Sequence, residues 1–258
     1  MAKWTAFPHT DKAYVYTAAA LKKHWDRLHR GDCEPFPKDV KAQDAWIAYH
    51  AGEFEQAAEQ GLKAGAAGHN AAAKATCIHA NYLEQSEAKK LKLYEEVVAR
   101  CEELQKKEPR NVNAWYLHAY ALGRYSQGIS VVKALSQGLG GKIKASLEQA
   151  LKLEPRHADA HIALGTYHAE IIDKVGGLIG GMTYGANKDT GMAHFGKALK
   201  LNPDSAIARI EYANGMIMLL GKAKMKEAEK LYEEAAKCKP VDAMERLDVE
   251  LAKSELED

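Results

Sequence analysis

The sequence predicts an all-α fold, a right-handed α-solenoid of helical hairpins carrying insertions between helices. Three observations lead there. The helix formers Ala, Leu, Lys and Glu dominate, while Val/Ile alternation is scarce, which disfavours strands. Apolar residues recur at helical spacing along most of the chain. A helix-ending join also repeats, as Ala150-Leu-Lys-Leu-Glu-Pro155 and Ala198-Leu-Lys-Leu-Asn-Pro203, with looser versions at Pro109 and Pro240.

In chain order, residues 1–10 read as an irregular lead. Thr10 or Asp11 is the expected cap of a helix to about Arg30, with Tyr14, Ala18, Leu21, Trp25 and Leu28 on one face. Gly31-Asp32 ends it, and Glu34-Pro-Phe-Pro37 is a stiff link. Asp39 caps a helix over about 40–50, and a short turn leads to another over about 53–65, where Ala57, Gly61 and Ala64 permit close approach. The stretch 65–70 breaks the pattern before helices of about 71–85 and 87–107. Glu108-Pro109 stops the latter, and Asn111 or Asn113 opens the next.

The intervals between Pro109, Pro155, Pro203 and Pro240 are 46, 48 and 37 residues. A tetratricopeptide repeat has a period of about 34, with W-x2-L-G-x2-Y in its first helix and A-x3-F, then Pro, in its second. The intervals exceed that period by about 12, 14 and 3 residues. The best copy carries His161, Leu164, Gly165 and His168, then Gly191, Phe195, Ala198 and Pro203. The copy before it carries Trp115, His118, Ala119 and Leu122, then Ile143, Leu147, Ala150 and Pro155. The last carries Arg209, Tyr212, Ala213 and Met216, then Ala228, Tyr232, Ala235 and Pro240.

On these residues the chain resembles the tetratricopeptide repeat (TPR) family over roughly 40–240, in degenerate form before 110. Its layout is also similar to microtubule-dynamics-regulator-type TPR proteins and their bacterial relatives. The expected organisation is an N-terminal helix and Pro-rich link (1–38), degenerate hairpins (39–109), repeats with two Gly-rich insertions (110–241) and a capping helix (242–258). The insertions are about 123–142 and 169–190. They emerge at equivalent places and are expected side by side, either as a local second core or as a contact surface.

The resemblance implies a non-catalytic scaffold that binds a peptide or protein partner along a concave groove made chiefly by first helices. That pattern assigns Asn113, Tyr116, Tyr120 and Arg124, then Asp159, Ile162, Thr166 and Glu170, then Ile207, Ile210, Glu211 and Asn214 to the groove. A competing expectation is that the chain's own N-terminal helix or insertions fill it. The alternative function is a carrier of an apolar small molecule in a tunnel between groove and insertions. The layout also allows homo-oligomerisation through the Gly-rich insertions.

Other chemistry has little support. The run 176–181 is Gly-rich but lacks the G-K-[ST] ending and a preceding strand, so no phosphate cradle is expected. His157, His161 and His168 share a helix face, but two of them stand at packing positions of the repeat, so no metal or cofactor is expected. No nucleophile elbow is visible, so the chain is not expected to be an enzyme. A net charge of +1 disfavours nucleic acid. Cys33, Cys77, Cys101 and Cys238 are widely spaced, fitting a reducing compartment. The start lacks the apolar run of a signal peptide, and no window suits a membrane span, so a cytoplasmic protein is the expectation, with a previously removed leader left open.

Overall fold

A computed structural model describes residues 3–257. The first two residues of the expected irregular lead and the final residue of the expected cap lie outside it. The described residues are all-α, without strands, and divide into two compact units.

The first unit comprises residues up to 29, 33–130 and 241–244. Its helices are α1 (Ala18–Leu28), α2 (Val40–Ala51), α3 (Phe54–Lys63), α4 (His69–Tyr82), α5 (Glu87–Lys107) and α6 (Val112–Gln127). Asp39 and Asn111 cap α2 and α6 as expected, each accepting the N–H of the residue three on. The first helix starts later than Asp11. That residue caps only a 3-10 turn at Lys12–Tyr14, and Thr17 caps α1. Between them Val15 and Thr17 are extended. Burial of Phe7 and Tyr14 ties this lead to the unit. Trp4 stacks on His79 at 4.2 Å, and Phe7 sits over the turn glycine Gly52, where a Cβ would clash with the ring. The lead is therefore a packed strap over the hairpins.

Hairpin α2/α3 meets α4 through small residues. A Cβ on Gly61 would lie 2.6 Å from the Gly68 carbonyl and 2.9 Å from Ala72, so only glycine allows this approach. The centre of the unit is aromatic: Trp25, His29, Trp46, Tyr49 and His50 interlock, with Trp46 and Tyr49 fully buried. Residues 241–244 complete it. Asp242 bonds to His50 Nδ1 at 2.8 Å, both buried, and Tyr16 Oη donates to the Val241 carbonyl at 2.8 Å.

The second unit comprises 30–32, 131–240 and 245–258. It holds α7 (Val131–Ser136), α8 (Leu139–Leu153), α9 (Ala158–Val175), α10 (Gly177–Tyr184), α11 (Lys188–Leu201), α12 (Ala206–Leu220), α13 (Met225–Ala236) and most of α14 (Ala243–Glu257). The signature residues explain how α9, α11 and α12 mesh. Phe195 of α11 is fully buried, and its ring occupies the space where Gly165 of α9 and Gly215 of α12 lack a Cβ. Tyr212 stacks on the same ring at 5.4 Å. Leu147 and Ala150 of α8 are fully buried as well. Val249 and Ala252 of α14 pack on Ala206, Ile210 and Ala235, covering the α12/α13 hairpin.

The two inserted segments fold into α7 and α10 with the adjoining helix ends. Gly185, left-handed at φ +63°, ends α10, and the Tyr184 carbonyl accepts from Lys144 Nζ at 3.3 Å and Tyr167 Oη at 3.0 Å. A Cβ on Gly140 would meet the Tyr184 ring at 3.4 Å, so the two inserted segments adjoin. Ala186 joins Ala169, Ile172 and Leu219 in a small core, whereas α7 buries no side chain and α10 buries only Gly180.

Candidate functional site

Residues assigned to the groove fall into two groups. Four are buried. Asn113 donates from Nδ2 to Glu34 Oε2 at 2.6 Å, and Tyr116 is buried on the same helix. Ile162 packs with Ala198 and Ala208, and Ile210 packs with Ala206, Ala235 and Val249. Tyr116, Ile162 and Ile210 fill space between packed helices, and Asn113 is held by Glu34.

The other group is half-exposed. In the first unit, the Arg124 guanidinium lies over the Tyr120 ring at 5.4 Å. In the second unit, α9 carries Asp159, Thr166 and Glu170, and α12 carries Ile207, Glu211 and Asn214. Thr166 Oγ1 donates to Glu211 Oε2 at 3.0 Å, linking the two helices through their polar faces. Glu170 pairs with Lys174 at 3.2 Å, and Asn214 Oδ1 accepts from Tyr232 Oη at 2.7 Å. The Asp159 N–H donates to the Gly31 carbonyl at 3.0 Å, and its carboxylate lies where any Cβ on Gly31 would clash.

Sequence reasoning missed how the Pro-rich link engages the first unit. The Glu34 carboxylate is buried and accepts from Asn70 Nδ2 at 2.9 Å and Asn113 Nδ2 at 2.6 Å, while the Glu34 carbonyl accepts from Trp25 Nε1 at 2.7 Å. Cys33, just before it, has φ +49°, the one left-handed non-glycine residue among those described. Such a conformation costs about 1–3 kcal/mol, which the buried carboxylate contacts offset. Pro35 and Pro37 marked a link; no local signal announced that its glutamate would insert between two asparagines on α4 and α6.

The histidines expected on one face separate by role. His157 caps α9, its Nδ1 accepting the Ala160 N–H at 3.0 Å. His161 Nε2 donates to the Pro155 carbonyl at 3.2 Å, so its Nδ1 accepts from His194 Nδ1 at 2.7 Å. His168 Nδ1 accepts the Asn187 N–H at 3.2 Å. Burial lowers the pKa of all three members of the His161/His168/His194 cluster, bringing His168 and His194 to about 4. Lys144 beside His168, and the neighbouring histidines and Lys197 beside His194, act in the same direction. Among the described residues no three His, Cys, Asp or Glu side chains are placed to hold a metal ion. The Gly-rich run 177–184 is helix α10, not a phosphate loop.

Comparison with solved structures places this architecture among TPR folds. The chain superposes on TTC0263, a thermophilic TPR protein of Thermus thermophilus, with a TM-score of 0.58 and 19% identity over 83% of this chain and 98% of that one. A second match is YrrB, described as a TPR protein with an unusual peptide-binding site, at TM-score 0.42 and 13% identity over 92% of this chain and 100% of that one. No family model matches the sequence. No curated protein matches it either. The fold is thus that of TPR-like helical hairpins.

Proposed function

We propose that the chain is a non-catalytic protein-interaction scaffold that takes a peptide or protein partner along the half-exposed face of first helices. The observation that carries the reading is the α9/α12 face in the second unit. There Asp159, Thr166, Glu170, Glu211 and Asn214 stand half-exposed in rows on adjacent first helices, joined by the Thr166–Glu211 bond. Rows of polar side chains on a rigid helical surface suit an extended or helical segment, whose main chain and side chains hydrogen-bond to them. Tyr120 and Arg124 offer a second, aromatic and cationic contact in the first unit.

Ile162 and Ile210, two apolar groups of the expected groove, are each packed in a small core and lend the apolar-carrier alternative no support.

The test is affinity capture from native lysate with wild type and a Thr166→Ala/Glu211→Gln/Asn214→Ala variant. The variant gives up the Thr166–Glu211 and Tyr232–Asn214 bonds, so circular dichroism first establishes that it is folded. Loss of specific partners supports the reading, and an unchanged partner list from a folded variant removes it.

A further inference from the structure

His79, near the C-terminal end of α4, is fully buried, and neither of its ring nitrogens has a hydrogen-bond partner among the described residues. A neutral imidazole carries one donor and one acceptor, and here both go unmet. The ring is covered by Trp4, stacked on it at 4.2 Å with 15° between the planes. Trp4 belongs to the lead and is itself half-exposed. Rings fasten the neighbouring residues too. Phe7 lies edge-on to Phe54 at 6.2 Å, and His9 meets Phe7 at 5.8 Å. Lys3, Thr5, Ala6, Pro8 and Thr10 are exposed. One side of a buried, unsatisfied histidine is thus closed by a segment that buries little of itself.

Two carboxylates face the ring, Glu84 from the turn after α4 and Glu55 from α3. Glu84 is already engaged: it accepts the Ser86 N–H at 2.8 Å and lies 4.0 Å from Lys89 of α5. Both carboxylates favour the imidazolium, but burial outweighs them and lowers the pKa of His79. Stacking on indole also favours the cation, yet it supplies no hydrogen-bond acceptor. A proton added to the ring would create a second N–H donor and a full charge where no acceptor meets either nitrogen. Relief of that cost requires water at the ring. Helices α3 and α5 pack along α4 as part of the hairpins, so the cover that can lift without dismantling them is Trp4.

We propose that Trp4 is an acid-released latch: protonation of His79 lifts Trp4, and the lead around it, from the first unit. The closed state holds fewer protons than the open one, because burial lowers the histidine pKa only while the ring is covered. The latch therefore stays shut above about pH 6.5, the ordinary histidine value, and opens progressively as pH falls below it. At about pH 5 the linkage supplies at most about a 30-fold shift toward the open form. Opening uncovers His79 and loosens Phe7 from Phe54 and from its seat over Gly52, so an aromatic strip is presented only in acid. The device is independent of the α9/α12 peptide face.

The experiment is fluorine NMR of the full chain labelled with a fluorinated tryptophan, the Trp4 signal being assigned from Trp4→Phe. In wild type the open-to-closed ratio at Trp4 is expected to rise about tenfold between about pH 7 and pH 5. In His79→Phe, which keeps a ring beneath Trp4 but takes no proton, the ratio is expected to change less than about twofold. His9 remains in that variant, so any effect of its own titration on the lead is retained as a control. Should His79→Phe fail to fold, Trp4→Ala decides by reciprocity. Removing the latch is expected to raise the midpoint at which the His79 ring protons titrate, to about 6.5. The proposal is overturned if the Trp4 ratio in wild type does not change over this range, or if it changes equally in folded His79→Phe. It is also overturned if His79 titrates at the same pH in wild type and Trp4→Ala.

Discussion

Phe195 shows how one side chain sets the spacing of three helices. Its ring lies where Gly165 and Gly215 lack a Cβ and stacks on Tyr212. Phe195→Ala is expected to cost about 3–5 kcal/mol by leaving a cavity between helices that cannot close. Gly215→Ala is expected to cost about 1–3 kcal/mol or more from overpacking, because the ring cannot recede. Urea unfolding measures both, and a loss under about 1 kcal/mol for Phe195→Ala would contradict the interlocked packing. The His161/His168/His194 cluster belongs to the same scale. Its pKa values are lowered in the fold, so the native state binds fewer protons than the unfolded chain at mildly acid pH. Its contribution is fully present above about pH 6.5, and it is lost as pH falls toward about 4. Protonation would also set N–H against N–H where His194 meets His161, and against the Asn187 N–H at His168. Stability from urea titrations is therefore expected to fall between about pH 6.5 and 4.5, by about 1–3 kcal/mol from His168. His168→Asn, whose side-chain oxygen still accepts from the Asn187 N–H, is expected to flatten that slope; an unaltered slope would assign the pH dependence elsewhere.

Among the elements, the Pro-rich link turns out to be a fastening. Glu34 lies between Asn70 and Asn113, and Glu34→Ala withdraws the acceptor that both amides share. The expected cost is about 2–4 kcal/mol, with Glu34→Gln retaining part of the stability through its carbonyl oxygen. Thermal unfolding of the two variants decides this, and equal melting of both with wild type would mean the contact contributes nothing. The link also explains one fate of the expected groove: in the first unit, Asn113 is occupied by the chain's own segment. The start of α1 shows a local signal overruled. Asp11 is a good cap, but Phe7 and Tyr14 are better buried with the lead extended, so the helix waits for Thr17. The insertions were legible as Gly-rich and apolar; that α7 and α10 would leave their apolar groups outside was not, because the same pattern reads as buried helix whenever a neighbour covers it.

At the scale of the whole molecule, each unit is completed by residues distant in sequence. Residues 241–244 close the first through His50–Asp242 and Tyr16–Val241, although nothing in 1–130 announces the need. Removing 241–258 is expected to expose the buried His50 and to raise hydrogen exchange in α2, far from the cut in sequence. Breaking this buried hydrogen bond alone, by Asp242→Ala, is expected to cost about 1–3 kcal/mol by leaving His50 Nδ1 without its partner. Unchanged exchange in α2 after either change would show that the unit does not depend on the pair.

Some of this could be read from the chain by itself. The helical class, the hairpin joins at Pro155 and Pro203, the caps Asp39 and Asn111, and the packing places of Gly165, Phe195 and Ala198 depend on local propensity and on spacing, which sequence carries directly. Tertiary structure alone decided which first-helix residues are buried, where Glu34 goes, how the histidines pair, and that the inserted helices stay uncovered. Those outcomes depend on which surfaces meet after the hairpins pack, and a side chain's spacing along its own helix does not specify what arrives on the other side.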